Sequence, residues 1–232
     1  MSKSVCVVAL TLLLSACGTT PSHRAAPSGK PADTARLESL PAPGVYRIDP
    51  GQSELRVLVY RGGSLAHLGH NHVLVNQALS GSVMVADRLQ TSSFEFAAPV
   101  EKFVVDDAQA RREEGTDFPG EVPEDAKSGT LHNMLSATQL NGAQFPTLTV
   151  KSVAIDDPQG VPTAALTVMV AGHDSAVSAP FTLKGSPGHL TATAAFELLQ
   201  SAVGIKPYSL MGGALQVQDS MQVKITIVAS AQ

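Results

Sequence analysis

The chain has 232 residues, a formal net charge of −4 and 44% hydrophobic residues, enough length and apolar content for one folded domain with a sizeable core. The acidic balance excludes a nucleic-acid partner, because binding a phosphate backbone needs a basic face. Aromatic residues make up 4% of the chain and Trp is absent, so stacking platforms for bases or sugars are scarce. Any pocket is therefore expected to be aliphatic.

Residues 1–16 have the layout of a bacterial signal peptide, with Lys3 before a short apolar run. That run is shorter than the roughly 20 residues that span a bilayer. Leu14-Ser15-Ala16-Cys17 resembles a lipobox, which predicts cleavage before Cys17 and attachment of acyl chains such as palmitate to it. The alternative is an ordinary secretory signal followed by a stray thiol. Gly18, in place of an acidic residue, is similar to outer-membrane lipoproteins and favours the outer membrane, facing the periplasm.

Residues 17–43 are rich in Pro, Ala, Ser and Gly and have no apolar period, which predicts a disordered linker. The folded domain is expected from residue 44 to residue 230. The two cysteines are Cys6, in the signal segment, and Cys17. A mature lipoprotein would therefore have no disulfide, and its stability must come from its core.

From residue 45 onward the hydrophobic pattern has a period of two, which is typical of half-buried strands. The runs are separated by Gly, Pro, Asn or Asp and predict a mainly all-β fold, an antiparallel eight-stranded β-barrel. The predicted strands are Glu54–Tyr60, His72–Val85, Ser93–Val105, Thr147–Ile155, Ala164–Ala171, Val177–Leu183, His189–Leu198 and Met221–Ala229.

Residues 107–142 interrupt this pattern and predict one or two short helices that plug or cap one end of the barrel. The first would begin at an acidic cap, and the second places Leu131, Leu135 and Thr138 at helical spacing. We expect Arg111-Arg112 to be paired surface charges and Glu113-Glu114 to form a solvated helix face.

An ordered series of segments resembles the YceI-like polyisoprenoid-binding family. The resemblance implies a lipocalin-like barrel that encloses the tail of an isoprenoid, quinone-like lipid without catalysing a reaction. The segments that carry it are Tyr46-Arg47-Ile48-Asp49 with Ser53, Leu79-Ser80-Gly81, the run from Phe145 to Ser152, Leu166-Thr167-Val168 with Gly172-His173, Gly204-Ile205 and the run from Gln216 to Val223.

Three histidines, His67, His70 and His72, lie within six residues just after the Gly62-Gly63 turn. One interpretation is a polar corner at the barrel mouth that contacts the lipid head group, joined by His173 if the fold brings that turn near. The alternative is a zinc or copper site, because three imidazole nitrogens with an open fourth position are typical of catalytic zinc.

Motifs of the common enzyme classes are absent from the sequence: it has no Gly-x-Ser-x-Gly, no His-Glu-x-x-His and no glycine-rich phosphate loop. We therefore expect no enzymatic activity and no required cofactor. The main hypothesis is a lipid-anchored envelope protein that binds an amphiphilic isoprenoid. The alternatives are a histidine-cluster metalloprotein or metalloenzyme, and an adaptor whose barrel is filled by its own side chains.

Overall fold

A computed structural model describes residues 35–232, which contain fourteen strands and two α-helices. The helices are α1 (Ala108–Glu114) and α2 (Glu124–Leu135). The strands are β1 (Leu37–Ser39), β2 (Gly44–Ile48), β3 (Glu54–Gly62), β4 (His72–Asn76), β5 (Ser80–Val85), β6 (Ser93–Pro99), β7 (Val104–Val105), β8 (Thr147–Asp156), β9 (Thr163–Val170), β10 (His173–Pro180), β11 (Thr182–Ser186), β12 (His189–Leu199), β13 (Ser209–Leu210) and β14 (Leu215–Ala231).

The strands form one curled sheet around a central space, in the order β1, β11, β12, β14, β2, β5, β6, β8, β9, β10. Neighbouring strands are antiparallel except for the parallel pair of β1 and β11. The last strand, β10, comes back beside β12, but no hydrogen-bonded ladder joins these two within the described residues. The predicted mainly β, lipocalin-like architecture with two inserted helices is confirmed, and one seam of the barrel is closed by side chains alone.

Three of the predicted strands are each divided into two, and one of these is Val177–Leu183, which spans the end of β10 and the start of β11. The run His72–Val85 breaks after Asn76, whose buried side chain donates to Pro99 O at 2.8 Å and accepts from Ala78 N–H at 3.0 Å. The run Ser93–Val105 breaks at Pro99, which has no N–H to continue a ladder. The breaks bend the sheet, so that β3, β4 and β7 form a second branch beside β2, β5 and β6.

The inward faces follow the predicted alternation. On β3, Leu55, Val57 and Val59 face the central space, and on β9 Leu166 and Val168 do the same. The residues between them face outward or pack beneath α1. The period of two is therefore the signal that places apolar side chains inside this barrel.

The insertion between β7 and β8 completes the wall of the barrel where strand pairing stops. β8 pairs with β6 only as far as Pro99–Thr147, and α2 packs against β7 beyond that point. The helix ends at Leu135 because Ser136 is extended, so the expected helical position of Thr138 is wrong. Asp107 is the N-cap of α1, as predicted: its carboxylate accepts the N–H groups of residues 109 and 110 at 2.9 and 3.0 Å.

The segment 37–39 corrects the expected end of the linker. Leu37–Ser39 pairs with β11, and Ser39 Oγ both donates to Gly185 O and accepts from Gly185 N–H. Composition alone missed this because three residues with side-chain hydrogen bonds are enough to add a strand to an open edge. The signal segment 1–16 and the acylation of Cys17 lie outside the described residues and stay predictions.

None of the helices in residues 35–232 combines the length and the apolar character needed to cross a membrane.

Candidate binding cavity

The curled sheet encloses a cavity of about 260 Å³. Of the described residues that line it, only Ser92, Gln139, Thr193 and Gln200 are polar, and none is charged. Every other lining residue is aliphatic, Phe or Met, including Leu74, Leu148, Phe196 and Ile225, which are half-buried because the cavity leaves part of their surface uncovered. An apolar cavity of about 150 Å³ already accepts benzene, so this interior has room for a longer hydrocarbon chain.

A tightly packed cluster closes one end of the cavity. Its buried members are Val170, Val203 and Met221, and Leu140 and Ile205 pack against them. We call this end the Met221 end. The segment after α2 contributes to it through Leu140, and the expectation that the helices themselves plug or cap the barrel stays a prediction.

Two glutamine side chains bring polar atoms to the cavity lining. Gln200 is 7% exposed, and its Nε2 donates to Gln218 O at 2.7 Å. No described residue donates a hydrogen bond to its Oε1, so this acceptor is available to a ligand. Gln139 Nε2 donates to Lys206 O at 3.1 Å and to Thr138 O at 3.0 Å. These groups offer hydrogen bonds in a lining that is otherwise apolar.

The four predicted head-group histidines lie near the Met221 end but do not line the cavity. His72 is opposite Val59 in the β3–β4 ladder and so shares the inward face of the sheet. The rings of His70 and His72 are 6.2 Å apart, and His67 is exposed in the turn Ala66–Leu68. His173 packs against Gly204, beside Val203 of the closing cluster.

His72 is held by a buried carboxylate. Its Nδ1 lies 2.6 Å from Asp106 Oδ2, and because a carboxylate only accepts, the imidazole donates. Asp106 Oδ1 also accepts from Val73 N–H at 2.9 Å and from Arg111 at 2.6 Å. Burial alone would raise the pKa of the Asp106 carboxyl, but the hydrogen bonds from His72, Val73 N–H and Arg111 outweigh burial and lower it.

Arg111 is the cation of this network and is 2% exposed, so its expected place on the surface is wrong. Besides Asp106, it donates to the backbone oxygens of Asn71 at 2.7 Å, Pro119 at 3.1 Å and Gly120 at 3.2 Å. Every one of these partners lies on a neighbouring segment. The guanidinium therefore joins the His67–His72 loop to α1 and to the turn that follows it.

Comparison with known proteins decides the family. The model of the YceI-like domain matches residues 46–229, which is most of the chain. This chain belongs to the YceI-like family. Among solved structures, BcnA of Burkholderia cenocepacia aligns with a TM-score of 0.59 at 14% identity, over 79% of this chain and 99% of BcnA. A YceI protein of Campylobacter jejuni aligns with a TM-score of 0.49 at 7% identity, over 68% of this chain and 84% of that one. No curated protein matches the sequence.

The metal alternative has no matching geometry in this YceI-like domain. Within residues 35–232, no three His, Cys, Asp or Glu side chains gather into a group that could hold a metal ion. His67, His70 and His72 are close in sequence, yet Nδ1 of His72 is already engaged by Asp106. Close spacing along the chain does not by itself converge three imidazoles on one point.

Sequence reasoning missed the two glutamines that the YceI-like fold places at the cavity. Gln139 follows Thr138 and Gln200 follows Leu199, and no motif marks either glutamine. The available signal was their position: each lies just beyond a regular element, at the end of α2 or of β12, where a wall of the barrel turns. That position becomes visible only once the ends of these elements are known.

Proposed function

We propose that this YceI-like barrel binds one amphiphilic isoprenoid lipid, such as a quinone-like molecule, and catalyses no reaction. The observation that carries the proposal is the uncharged, almost wholly apolar cavity of about 260 Å³. A cavity of this character favours a hydrocarbon tail, since each buried CH₂ contributes roughly 0.8 kcal/mol. An adaptor with a filled barrel would lack such a space. The polyisoprenoid-binding character of the family supports the same conclusion.

The head group is proposed to lie toward the Met221 end, where two of the four polar lining residues, Gln139 and Gln200, are found. Gln200 Oε1 would accept from a ligand hydroxyl, and Gln139 offers a second amide. Of the predicted histidines, His72 is the one with the clearest geometry, because it shares the inward face and no described residue engages its Nε2. Contacts of His67, His70 and His173 with a head group stay predictions.

The proposed setting is the cell envelope. Acylation at Cys17 would hold the domain on the outer membrane, facing the periplasm, at the end of the linker that precedes β1. A lipid-anchored carrier is thereby kept beside the membrane in which isoprenoid lipids are dissolved. Its role would be to hold, move or protect such a lipid.

The experiment compares two alanines on β12, one facing inward and one facing outward. Ala192 lines the cavity, whereas Ala195 lies on the opposite face of the same strand. The protein is the chain from residue 18 onward, exported behind a cleavable secretory signal that has no lipobox, so it carries neither the signal segment nor an acyl chain and can be purified without detergent. Ala192→Phe fills the cavity. The amount of bound lipid per chain should fall at least about tenfold, because a packed interior leaves no room for a tail.

The readout is organic extraction followed by mass spectrometry, with elemental analysis of the same sample. We expect one isoprenoid lipid per chain in the parent and in the matched control Ala195→Phe. A parent chain that carries no isoprenoid, even after incubation with one, contradicts the proposal. So does an Ala192→Phe variant that keeps its lipid. Zinc or copper at one per chain would favour the metalloprotein instead.

A further inference from the structure

Two loops lie side by side beyond the Met221 end and form one surface. Leu65 N–H donates to Ala214 O at 2.7 Å. Gly63 lies so close to the other loop that a Cβ there would come within 2.4 Å of Ala214 O, which only glycine permits. We call these two loops, residues 63–71 and 209–214, the apolar tip. They extend the β3–β14 pair past the closing cluster of the cavity.

The tip exposes large apolar side chains. Met211 is 74% exposed, Leu68 is 63% exposed and Leu210 is 45% exposed. Burying such side chains inside the barrel would have stabilised the fold. Their exposure to water at one place therefore forgoes that favourable free energy of burial. Exposed apolar side chains that are gathered at one site mark an interaction surface.

The backbone holds Met211 in this exposed position. Met211, Gly212 and Gly213 have consecutive positive φ values of 52°, 67° and 93°. A left-handed conformation is uncommon for a bulky residue, and strain of this kind collects at functional sites. The turn therefore presents Met211 outward instead of folding it back against β14.

The charge of this region differs from that of the whole chain. The chain has 20 acidic residues and a net charge of −4, yet residues 61–72 and 204–216 contain no Asp or Glu. Arg61 and Lys206 are exposed at the base of the tip. The nearest acid along β14, Asp219, is engaged by the N–H and Oγ of Ser201. The exposed acid Asp117 lies beside the tip, because its backbone oxygen accepts from Asn71 Nδ2 at 2.7 Å. The two loops themselves contain no acid, and their apolar crown above Arg61 and Lys206 is complementary to an anionic lipid surface.

We propose that the apolar tip docks on an anionic phospholipid surface. Leu68 and Met211 enter the boundary between head groups and acyl chains, and Arg61 and Lys206 meet the lipid phosphates. Docking brings the Met221 end of the cavity against the bilayer. This inference rests on the proposed function in one respect, the reason for docking: a carrier must approach the membrane that holds its lipid.

The test uses the chain from residue 18 onward, exported behind a cleavable secretory signal without a lipobox, so that neither the signal segment nor an acyl anchor contributes to vesicle binding. Co-sedimentation is measured with vesicles of phosphatidylglycerol and phosphatidylethanolamine, and with vesicles of phosphatidylcholine alone. The double variant Leu68→Ser, Met211→Ser should lose at least about tenfold in partitioning to the anionic vesicles. The matched control is Val153→Ser, because Val153 is 70% exposed on β8, outside the tip.

Charge is tested by Lys206→Glu, which should weaken anionic-vesicle binding several-fold, and by about 1 M salt, where the screening length falls to about 3 Å. A parent chain that binds neither kind of vesicle overturns the proposal, and this is the result expected if the tip binds a protein partner. Equal binding by the double variant, or an equal loss in Val153→Ser, also overturns it. The same variants, incubated with an isoprenoid lipid in solution after lipid extraction, should bind as much of it as the parent, so loss of docking and loss of cavity binding are measured separately.

Discussion

Asp106 is a fully buried carboxylate that is stabilised by three donors, two on β4 and one on α1. It adopts a positive φ of 54°, which Asp tolerates better than most residues, and this turns its side chain back toward His72 and Arg111. Asp106→Asn removes the charge and leaves Arg111 buried without its counter-ion. We expect the free energy of unfolding to fall by about 3 to 5 kcal/mol, measured by urea denaturation. The double variant Asp106→Asn, Arg111→Met should be less destabilised than the sum of its single variants.

The same carboxylate predicts a pH dependence. Its pKa is lower in the folded protein than the ordinary value of about 3.9, so its contribution to stability is present above that pH and is lost as the pH falls through the folded value. The stability difference between the parent and Asp106→Asn should be constant from about pH 5 to pH 7 and shrink below about pH 4. A difference that persists unchanged to pH 3 would show that Asp106 acts through shape and not through charge.

Residue-level predictions from sequence failed where the environment comes from distant segments. Arg111 and Glu114 occupy a short, charged stretch that is typical of a surface helix, yet Arg111 is buried and only 6% of the Glu114 side chain is exposed. Their partners, Asp106 and Arg56, come from the loop before α1 and from β3. By contrast, the Asp107 cap was predictable, because capping depends on neighbours two and three residues away.

Arg56 is one of the residues that hold α1 on the outer face of the sheet, together with Lys224 of β14, which donates to Glu114. Arg56 of β3 donates to Glu114 at 2.9 Å and to Glu113 at 2.9 Å, and its Nε also donates to Glu54 of its own strand at 2.8 Å. Burial alone would lower the pKa of Arg56, but these three carboxylates raise it. A helix of seven residues is not stable alone, so its position depends on such contacts and on the apolar layer beneath it.

Arg56→Met should therefore loosen α1 more than the barrel. Loss of the Arg56–Glu114 pair is expected to cost about 1 to 3 kcal/mol, and hydrogen exchange should speed up in α1 while β9 and β12 keep their protection. The control is Lys151→Met, whose partner Glu95 is exposed on the far side of the sheet and whose loss should have no measurable effect. Uniform acceleration across all strands would mean that α1 and the barrel unfold together.

The strands were predicted well as elements because a period of two survives wherever one face of the sheet is buried. β3, β8, β9 and β12 begin and end within two residues of their predicted bounds. The errors occur at the bends. In the runs that start at His72 and Ser93 the hydrophobic pattern continues, but the strands end at Asn76 and Pro99. A hydrophobic pattern reports burial, whereas a bend depends on which side-chain hydrogen bonds replace the ladder.

Across the whole barrel, interior volume is divided between packing and cavity. The apolar residues of the inward faces pack closely around Tyr46, Leu79 and Leu190. They leave a central space that no side chain of the protein fills. Close-packed interiors are the rule, and an unfilled apolar space forfeits dispersion contacts. No sequence pattern distinguishes a filled barrel from a hollow one, because both need the same inward apolar faces.

This division predicts that the ligand is part of the stability of the protein. A lipid that fills the cavity at 100 times its Kd would stabilise the fold by about 2.7 kcal/mol, which for a domain of this size raises Tm by roughly 5 to 10 °C. The measurement is calorimetry of the chain from residue 18 onward, refolded after lipid extraction and then reloaded with an isoprenoid lipid. Ala192→Phe should melt at or above the lipid-free parent and show no shift on reloading, because its side chain already occupies the space. Equal melting of lipid-free and loaded parent chains, with lipid bound at one per chain, would place that lipid outside the barrel.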